Sequence, residues 1–352
     1  MTRAVHQVLP VYSWGDAIGG AVQRTQQILR ALGFRSETFA QVHDPRLQAR
    51  PAAELPEAAA ADDAVVYHLS IGSPVADLFA QCQARKVIVY HGITPAEYYA
   101  ATSAEVTYWL ERGREELRRL VAAADLVIAD SKHNLDECAP FGPRRAAVIP
   151  PPVDLERLRP RPAVPERPPR ILFVGRTAPN KRHDTLLRAL AALRATAISD
   201  ARLHVVGSSF DTGTYLRRLR DLAERLGVDQ ALDMTGEHAG DAEVADAYAR
   251  ASIFACASAH EGFCVPLVEA MAFHVPIVAL SRTAVPDTLD GAALLLDDRD
   301  PLIWAGALAR GVLDHGLRAE LIARGRRRLD DFAESAIAQR LSAALTEAGI
   351  TP

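Results

Sequence analysis

The stretch Ile253-Phe254-Ala255-Cys256-Ala257-Ser258-Ala259-His260-Glu261-Gly262-Phe263-Cys264-Val265-Pro266-Leu267-Val268-Glu269-Ala270-Met271 changes character twice along its length. Ile253–Ala257 is a short apolar run without alternation, as expected of a strand buried on both faces of a parallel sheet. Ser258–Cys264 is a loop, and Pro266 is well placed for a first helical position. Strand, loop and helix in that order form the repeating unit of a doubly wound α/β domain. Such sheets bind ligands beyond the carboxyl ends of their strands, on these loops. Here the amides of Gly262, Phe263 and Cys264 would face a ligand, with Glu261 ahead of them and Glu269 expected in the first helical turn. Two carboxylates flanking an amide cluster can each hold a pair of sugar hydroxyls. A glutamate at a helix start also satisfies the helix dipole, so Glu269 has a plain structural reading as well. Glu261, outside the helix and beside a glycine, is harder to explain that way.

The same unit recurs in both directions. Apolar runs at Val5–Val11, Ala64–Leu69, Lys86–Tyr90, Leu126–Ala129 and Ala146–Ile149 mark a first sheet. Runs at Arg170–Val174, Leu203–Val206, Ala231–Met234, Ile253–Ala257, Pro276–Leu280 and Ala292–Leu296 mark a second. Helical spacing fills the intervals, at Ala21–Leu32, Asp184–Leu193, Tyr215–Leu226 and Glu243–Ala249. Eight prolines between Pro150 and Pro169 rule out a central strand there, because proline donates no hydrogen bond and fixes its own φ. The reading is two doubly wound Rossmann-like domains, 1–155 and 170–332, joined by a stiff Pro-rich linker, 156–169. A last helical segment, 333–352, has no strand after it and is free to pack back towards the N-terminal domain.

Composition narrows the function. The chain has 352 residues, 49% hydrophobic and 24% charged, with a formal net charge of -4. That balance suits a soluble globular protein and gives no basic footprint for nucleic acid. Met1–Pro10 lacks the apolar core of a signal peptide, and no apolar run approaches the ~18 residues of a membrane span. Cys82, Cys138, Cys256 and Cys264 are scattered, and read as core residues or idle thiols in a reducing cytoplasm. Peripheral membrane contact stays open through Tyr98, Tyr99 and Trp109 with Arg112, Arg114, Arg118 and Arg119. Glu111, Glu115 and Glu116 interleave those arginines, which favours a solvated, salt-bridged helix.

Three further strand-to-helix loops carry candidates. Gly19 and Gly20 open a helix after the first strand, where glycine lets amides approach a phosphate; a plain tight turn is the rival reading. The pair is not the G-x-G-x-x-G fingerprint of a dinucleotide-binding dehydrogenase. After Arg170–Val174 comes Gly175-Arg176-Thr177-Ala178-Pro179-Asn180-Lys181, with Arg176 leaving the strand and Lys181 near the next helix start. Cations there oppose the helix dipole, and a diphosphate would resolve the conflict. His91 follows the strand Lys86–Tyr90 and suits a sugar hydroxyl, proton transfer or a structural loop.

Gly175-Arg176 through Lys181, with Glu261-Gly262-Phe263 through Glu269-Ala270-Met271-Ala272, resembles the signature of the retaining family-four glycosyltransferases of GT-B architecture. The first half is similar more loosely, at Gly19-Gly20, Leu32-Gly33, His91 and Val148–Asp154. The resemblance implies two Rossmann-like domains facing across a cleft, the N-terminal one binding acceptor and the C-terminal one the nucleotide sugar. It implies that Arg176 and Lys181 hold the donor diphosphate, Glu269 the ribose, and Glu261 the sugar hydroxyls with the Gly262, Phe263 and Cys264 amides. Gly19 and Gly20 would approach the phosphates, and His91 the transferred sugar. It further implies a retaining hexosyltransferase with no cofactor and no required metal, acting on a saccharide or lipid-linked acceptor. The stretch Tyr90–Glu97 is similar to bacterial mannosyltransferases of polysaccharide assembly and leans the donor to GDP-mannose, UDP-hexoses next. The base would lie by Gly236–Gly240. Departures from the family pattern are Arg182, Cys264 and His274, where glycine is usual, and Asp287, where glutamate often stands. Asp298-Arg299-Asp300 spells D-x-D, read as a turn of aspartates before Pro301. The alternatives are a non-catalytic partner subunit of the same fold and a sugar-nucleotide epimerase.

Overall fold

The computed structural model describes residues 3–165, 167–208, 213–235 and 239–352. Residues 236–238, where the base is expected, lie outside them. The chain divides into two compact units, the first comprising Met1–Glu97, Ala104–Asp154 and Asp331–Pro352, the second Tyr98–Ser103 and Leu155–Asp330.

The first unit is built on strands β1 (Val5–Tyr12), β2 (Thr38–His43), β3 (Arg50–Pro51), β4 (Ala64–Leu69), β5 (Arg85–Tyr90), β6 (Leu126–Ala129) and β7 (Ala146–Val148). They form one parallel sheet in the order β3-β2-β1-β4-β5-β6-β7. β2 and β3 are additions to the strands read from sequence. Only the first half of β2 is buried, and its His- and Gln-containing end gives no apolar run. Chain order reverses between β1 and β4, so the loops after those two strands diverge and leave a crevice there. The C-terminal helix Glu334–Glu347 belongs to this unit, burying Ile337, Leu341, Ala344 and Leu345 with Val5, Ile28, Ala64 and Val87. In the helix Ala104–Ala123, Arg112 meets Glu116 at 2.9 Å, Arg119 meets Asp77 at 2.8 Å and Arg114 meets Glu137 at 2.8 Å. Arg112, Arg114 and Arg119 are thus engaged by carboxylates. Among the described residues no helix is long and apolar enough to cross a membrane.

The second unit repeats the scheme with β8 (Arg170–Val174), β9 (Arg202–Val206), β10 (Leu232–Thr235), β11 (Ile253–Cys256), β12 (Ile277–Leu280) and β13 (Leu294–Leu296). The order is β10-β9-β8-β11-β12-β13, again parallel, with the reversal between β8 and β11. The Pro-rich segment 156–169 does not stand free. The Ala163 amide donates to the Phe273 carbonyl and that of Val164 to the Ala249 carbonyl, both at 2.8 Å, which fastens it along this unit. Asp300 caps the helix Pro301–Leu313, accepting from Leu302 and Ile303, and the Asp298 carbonyl accepts from the Trp304 indole. Both aspartates of the D-x-D are used in starting that helix. Arg182, Cys264 and His274, named above as departures from glycine, have φ of 55°, 75° and 57°. The backbone there keeps the left-handed conformation glycine favours, at a cost of roughly 1–2 kcal/mol each.

Two stability outcomes follow from this packing. Ile337 is 1% exposed, so Ile337→Ala is expected to destabilise the first unit by about 2–5 kcal/mol in urea unfolding. His183 lies against the rings of Phe173 and Tyr215, and among the described residues neither of its ring nitrogens has a partner. Burial, helped by the Lys181 charge, lowers its pKa from 6.5 to about 3. The unfolded chain binds that proton more readily, so the related stability is complete above 6.5 and lost as pH falls towards 3. His183→Phe keeps a ring in place and should flatten the dependence of melting temperature on pH in that window; an unchanged slope would contradict the assignment.

Candidate functional site

The reversal between β8 and β11 brings two loops together. From β8, Gly175 leads to Arg176 and then to a short turn, Pro179–Lys181, ahead of the helix His183–Thr196. From β11, the chain runs through Glu261 to the helix Val265–Ala272. The Lys181 Nζ sits between both carboxylate oxygens of Glu261, at 2.7 and 2.8 Å. Burial would lower the Lys181 pKa, but the Glu261 carboxylate outweighs it and the net shift is upward. Lys181 is therefore a fixed cation. Asn180, which sequence reasoning passed over, stitches the loops: its Nδ2 donates to the His260 carbonyl at 3.2 Å and its own carbonyl accepts from Ala259 at 2.8 Å. Thr283 accepts from the Glu261 amide at 2.9 Å, and the Thr288 hydroxyl donates to the Phe263 carbonyl at 2.6 Å. These bonds set the turn holding Gly262, Phe263 and Cys264. The Arg176 guanidinium donates to the Tyr99 hydroxyl at 3.0 Å, within the same unit.

Glu269 departs from its expected place. The helix begins at Val265, so Pro266 is its second residue and Glu269 falls in the second turn. Its carboxylate is 3% exposed and has no helix-start role. The Tyr248 hydroxyl donates to it at 2.9 Å and the Arg157 guanidinium at 2.5 Å; Arg157 also bonds Asp241. Burial raises the Glu269 pKa, against Arg157 and Tyr248, which favour the carboxylate. Neither Tyr248 nor Arg157 carries a local sequence signal; each reaches Glu269 only through the fold.

In the first unit, Gly19 and Gly20 lie inside the helix Ala17–Ala31 rather than ahead of it. The Gly19 amide donates to the Asp16 carboxylate at 3.4 Å and that of Gly20 to the Asp16 carbonyl at 2.9 Å. A Cβ at Gly19 would come within 2.3 Å of the Ser13 carbonyl oxygen, whereas nothing lies within 4 Å at Gly20. Glycine at 19 is demanded by the turn; at 20 it leaves open space beside the helix start.

His91 follows β5 and is the middle of a buried chain of polar contacts. Its Nδ1 lies 2.7 Å from Asp130 Oδ2, its Nε2 lies 3.0 Å from His68 Nδ1, and His68 Nε2 lies 3.0 Å from Gln7 Oε1. Gln7 Nε2 donates to the Val22 carbonyl at 3.0 Å, so Gln7 Oε1 must be the acceptor facing His68. Burial, then His91, hold His68 well below its ordinary pKa, hence neutral, with its one proton on Nε2. His91 Nε2 therefore donates to His68. Both ring nitrogens of His91 are thus used. Proton transfer by that ring would first require breaking one of these bonds. His68 and Asp130 were not among the sequence candidates.

The chain matches the family models "Glycosyl transferases group 1" over residues 154–328 and "Glycosyltransferase Family 4" over residues 11–157. D-inositol 3-phosphate glycosyltransferase of Salinispora arenicola is 34% identical over 242 residues, 61% of this chain and 53% of that protein. That of Kineococcus radiotolerans is 34% identical over 248 residues, 63% of this chain and 57% of that protein. The chain spans about half the length of these relatives. Among solved structures, sucrose-phosphate synthase of Thermosynechococcus elongatus superposes with TM-score 0.77 at 20% identity, covering 98% of this chain and 99% of that one. HepE of Anabaena in complex with UDP-glucose gives TM-score 0.74 at 18% identity, covering 97% and 99%. These neighbours share the GT-B fold. The two family models together run from residue 11 to residue 328, and the chain belongs to the family-four glycosyltransferases of group 1.

Proposed function

We propose that the protein is a retaining hexosyltransferase that takes its sugar from a nucleoside diphosphate and requires no metal. The observation that carries this is the fixed Lys181 cation at the β8–β11 reversal, with Arg176 on the same loop and Glu261 against it. Lys181 and Arg176 bind the donor diphosphate and stabilise the charge that grows on it as the glycosidic bond breaks. Glu261 accepts from hydroxyls of the sugar and Glu269 from those of the ribose, beside the Gly262, Phe263 and Cys264 amides. From the first unit, Gly19 and Gly20 are assigned to the phosphates and His91 to the transferred sugar, on the resemblance alone. Both ring nitrogens of His91 are engaged, so its contact with the sugar is made by exchanging a partner, and the leaving phosphate, not this ring, takes the acceptor's proton. The rate then depends on positioning and charge stabilisation.

GDP-mannose is the first donor to test and UDP-hexoses the next, with EDTA present throughout. Saccharide, lipid-linked and inositol phosphate acceptors cover the chemistry named for the family and the relatives. Removing Lys181 alone leaves Glu261 as an unpaired buried carboxylate, costing roughly 3–5 kcal/mol. Lys181→Ala should therefore lose stability and turnover together. The double variant Lys181→Ala/Glu261→Gln should recover the melting temperature while turnover stays at least about a hundredfold down. Turnover that recovers with the fold would contradict the diphosphate role. Glu269→Gln should weaken nucleotide binding by about tenfold in calorimetry, one lost charge-assisted hydrogen bond's worth; unchanged affinity would move the ribose contact elsewhere.

A further inference from the structure

Cys256 ends β11 and Cys264 immediately precedes the helix Val265–Ala272, so the loop between them returns to its own origin. Their sulfurs lie 4.0 Å apart. With a carboxylate oxygen of Glu261 they form a set of three ligand atoms all within 4.8 Å of one another. Cys256 is 1% exposed and Glu261 8%, while Cys264 as a residue is half-buried. In a tetrahedral site with zinc–sulfur bonds of ~2.3 Å, two thiolates stand ~3.8 Å apart, close to the spacing already present. A disulfide would need that separation halved.

Charge supports the same reading. Two thiols, the Glu261 carboxylate and the Lys181 ammonium sum to zero. A divalent cation bound by both sulfurs and the carboxylate releases two thiol protons and leaves the sum at zero, with Lys181 as counter-charge. The carboxylate oxygens that hold Lys181 are then shared with the metal.

We propose that Cys256, Cys264 and Glu261 form an inhibitory site for a thiophilic divalent cation of the zinc and cadmium class. Its occupant takes Glu261 from the donor sugar and leaves Lys181 as counter-charge to the loaded site, so metal and nucleotide sugar compete. The competition rests on the donor site proposed above; the cation site itself does not.

The test titrates cadmium chloride alone into the full chain, in buffer without chelator, and follows the ultraviolet thiolate-to-cadmium charge-transfer band. One equivalent should develop the band, and Cys256→Ser, whose hydroxyl replaces a buried thiol of nearly the same size, should abolish it. Glu261→Gln, with both thiols intact, should keep the band with roughly tenfold weaker affinity, which guards against a misfolded serine variant. No band, or a band that survives in a folded Cys256→Ser, overturns the site. Saturating cadmium should then lower the affinity for GDP-mannose or UDP-glucose at least about tenfold, reversed by EDTA. Undiminished affinity overturns the competition. If neither donor binds the metal-free protein, the donor reading fails while the band still decides the cation site.

Discussion

An ammonium group taken out of water must find a counter-charge, and Lys181 finds one in Glu261 at 2.7 Å. The rest of the second unit is arranged around that requirement. The two residues sit on loops from different strands, and only the chain reversal between β8 and β11 makes those loops neighbours. Asn180 then ties one loop to the other, and Thr283 and Thr288 fix the turn that follows Glu261. Parallel pairing is what sends both loops to the same end of the sheet. A polar, charged centre can exist there because the strands beneath it, buried on both faces, supply the core that stabilises the unit.

The charged groups assigned to the donor already have protein partners. Lys181 is on Glu261, Arg176 on Tyr99, and Glu269 on Tyr248 and Arg157. In the first unit, the amides of Gly19 and Gly20 are on Asp16. On the proposed donor site, binding is an exchange of partners, with the charges already gathered at the β8–β11 reversal before the ligand arrives. Such preorganisation removes the reorganisation cost at the moment of reaction, which is where electrostatic catalysis gains most. It also explains why buried carboxylates persist in a place where apolar residues would pack as well.

Much of this was legible because it is local. Strand runs, the proline-dense seam and the paired glutamates announce themselves within a few residues. So do the three glycine-position departures: Arg182, Cys264 and His274 all lie at positive φ, the backbone having kept what the side chains no longer advertise. Other features were hidden for identifiable reasons. β2 is half exposed and β3 is two residues at an edge, so neither forms a buried run. Glu269 looked like a first-turn residue because one position for the helix start decides which turn it joins. Arg157 reaches Glu269 across 112 residues of sequence, and His68 reaches His91 and Gln7 across 23 and 61. No local pattern encodes such pairs; a buried polar group's partner is chosen by the assembled fold.

The account stands most directly on where the Lys181 ammonium goes when a nucleoside diphosphate is bound. A crystal structure of the protein soaked with GDP or UDP in the presence of EDTA would measure it. The account predicts a diphosphate oxygen within hydrogen-bond distance of Lys181 Nζ and of the Arg176 guanidinium, with the ribose hydroxyls on Glu269. A nucleotide bound elsewhere, with Lys181 and Arg176 still on Glu261 and Tyr99 alone, would contradict it.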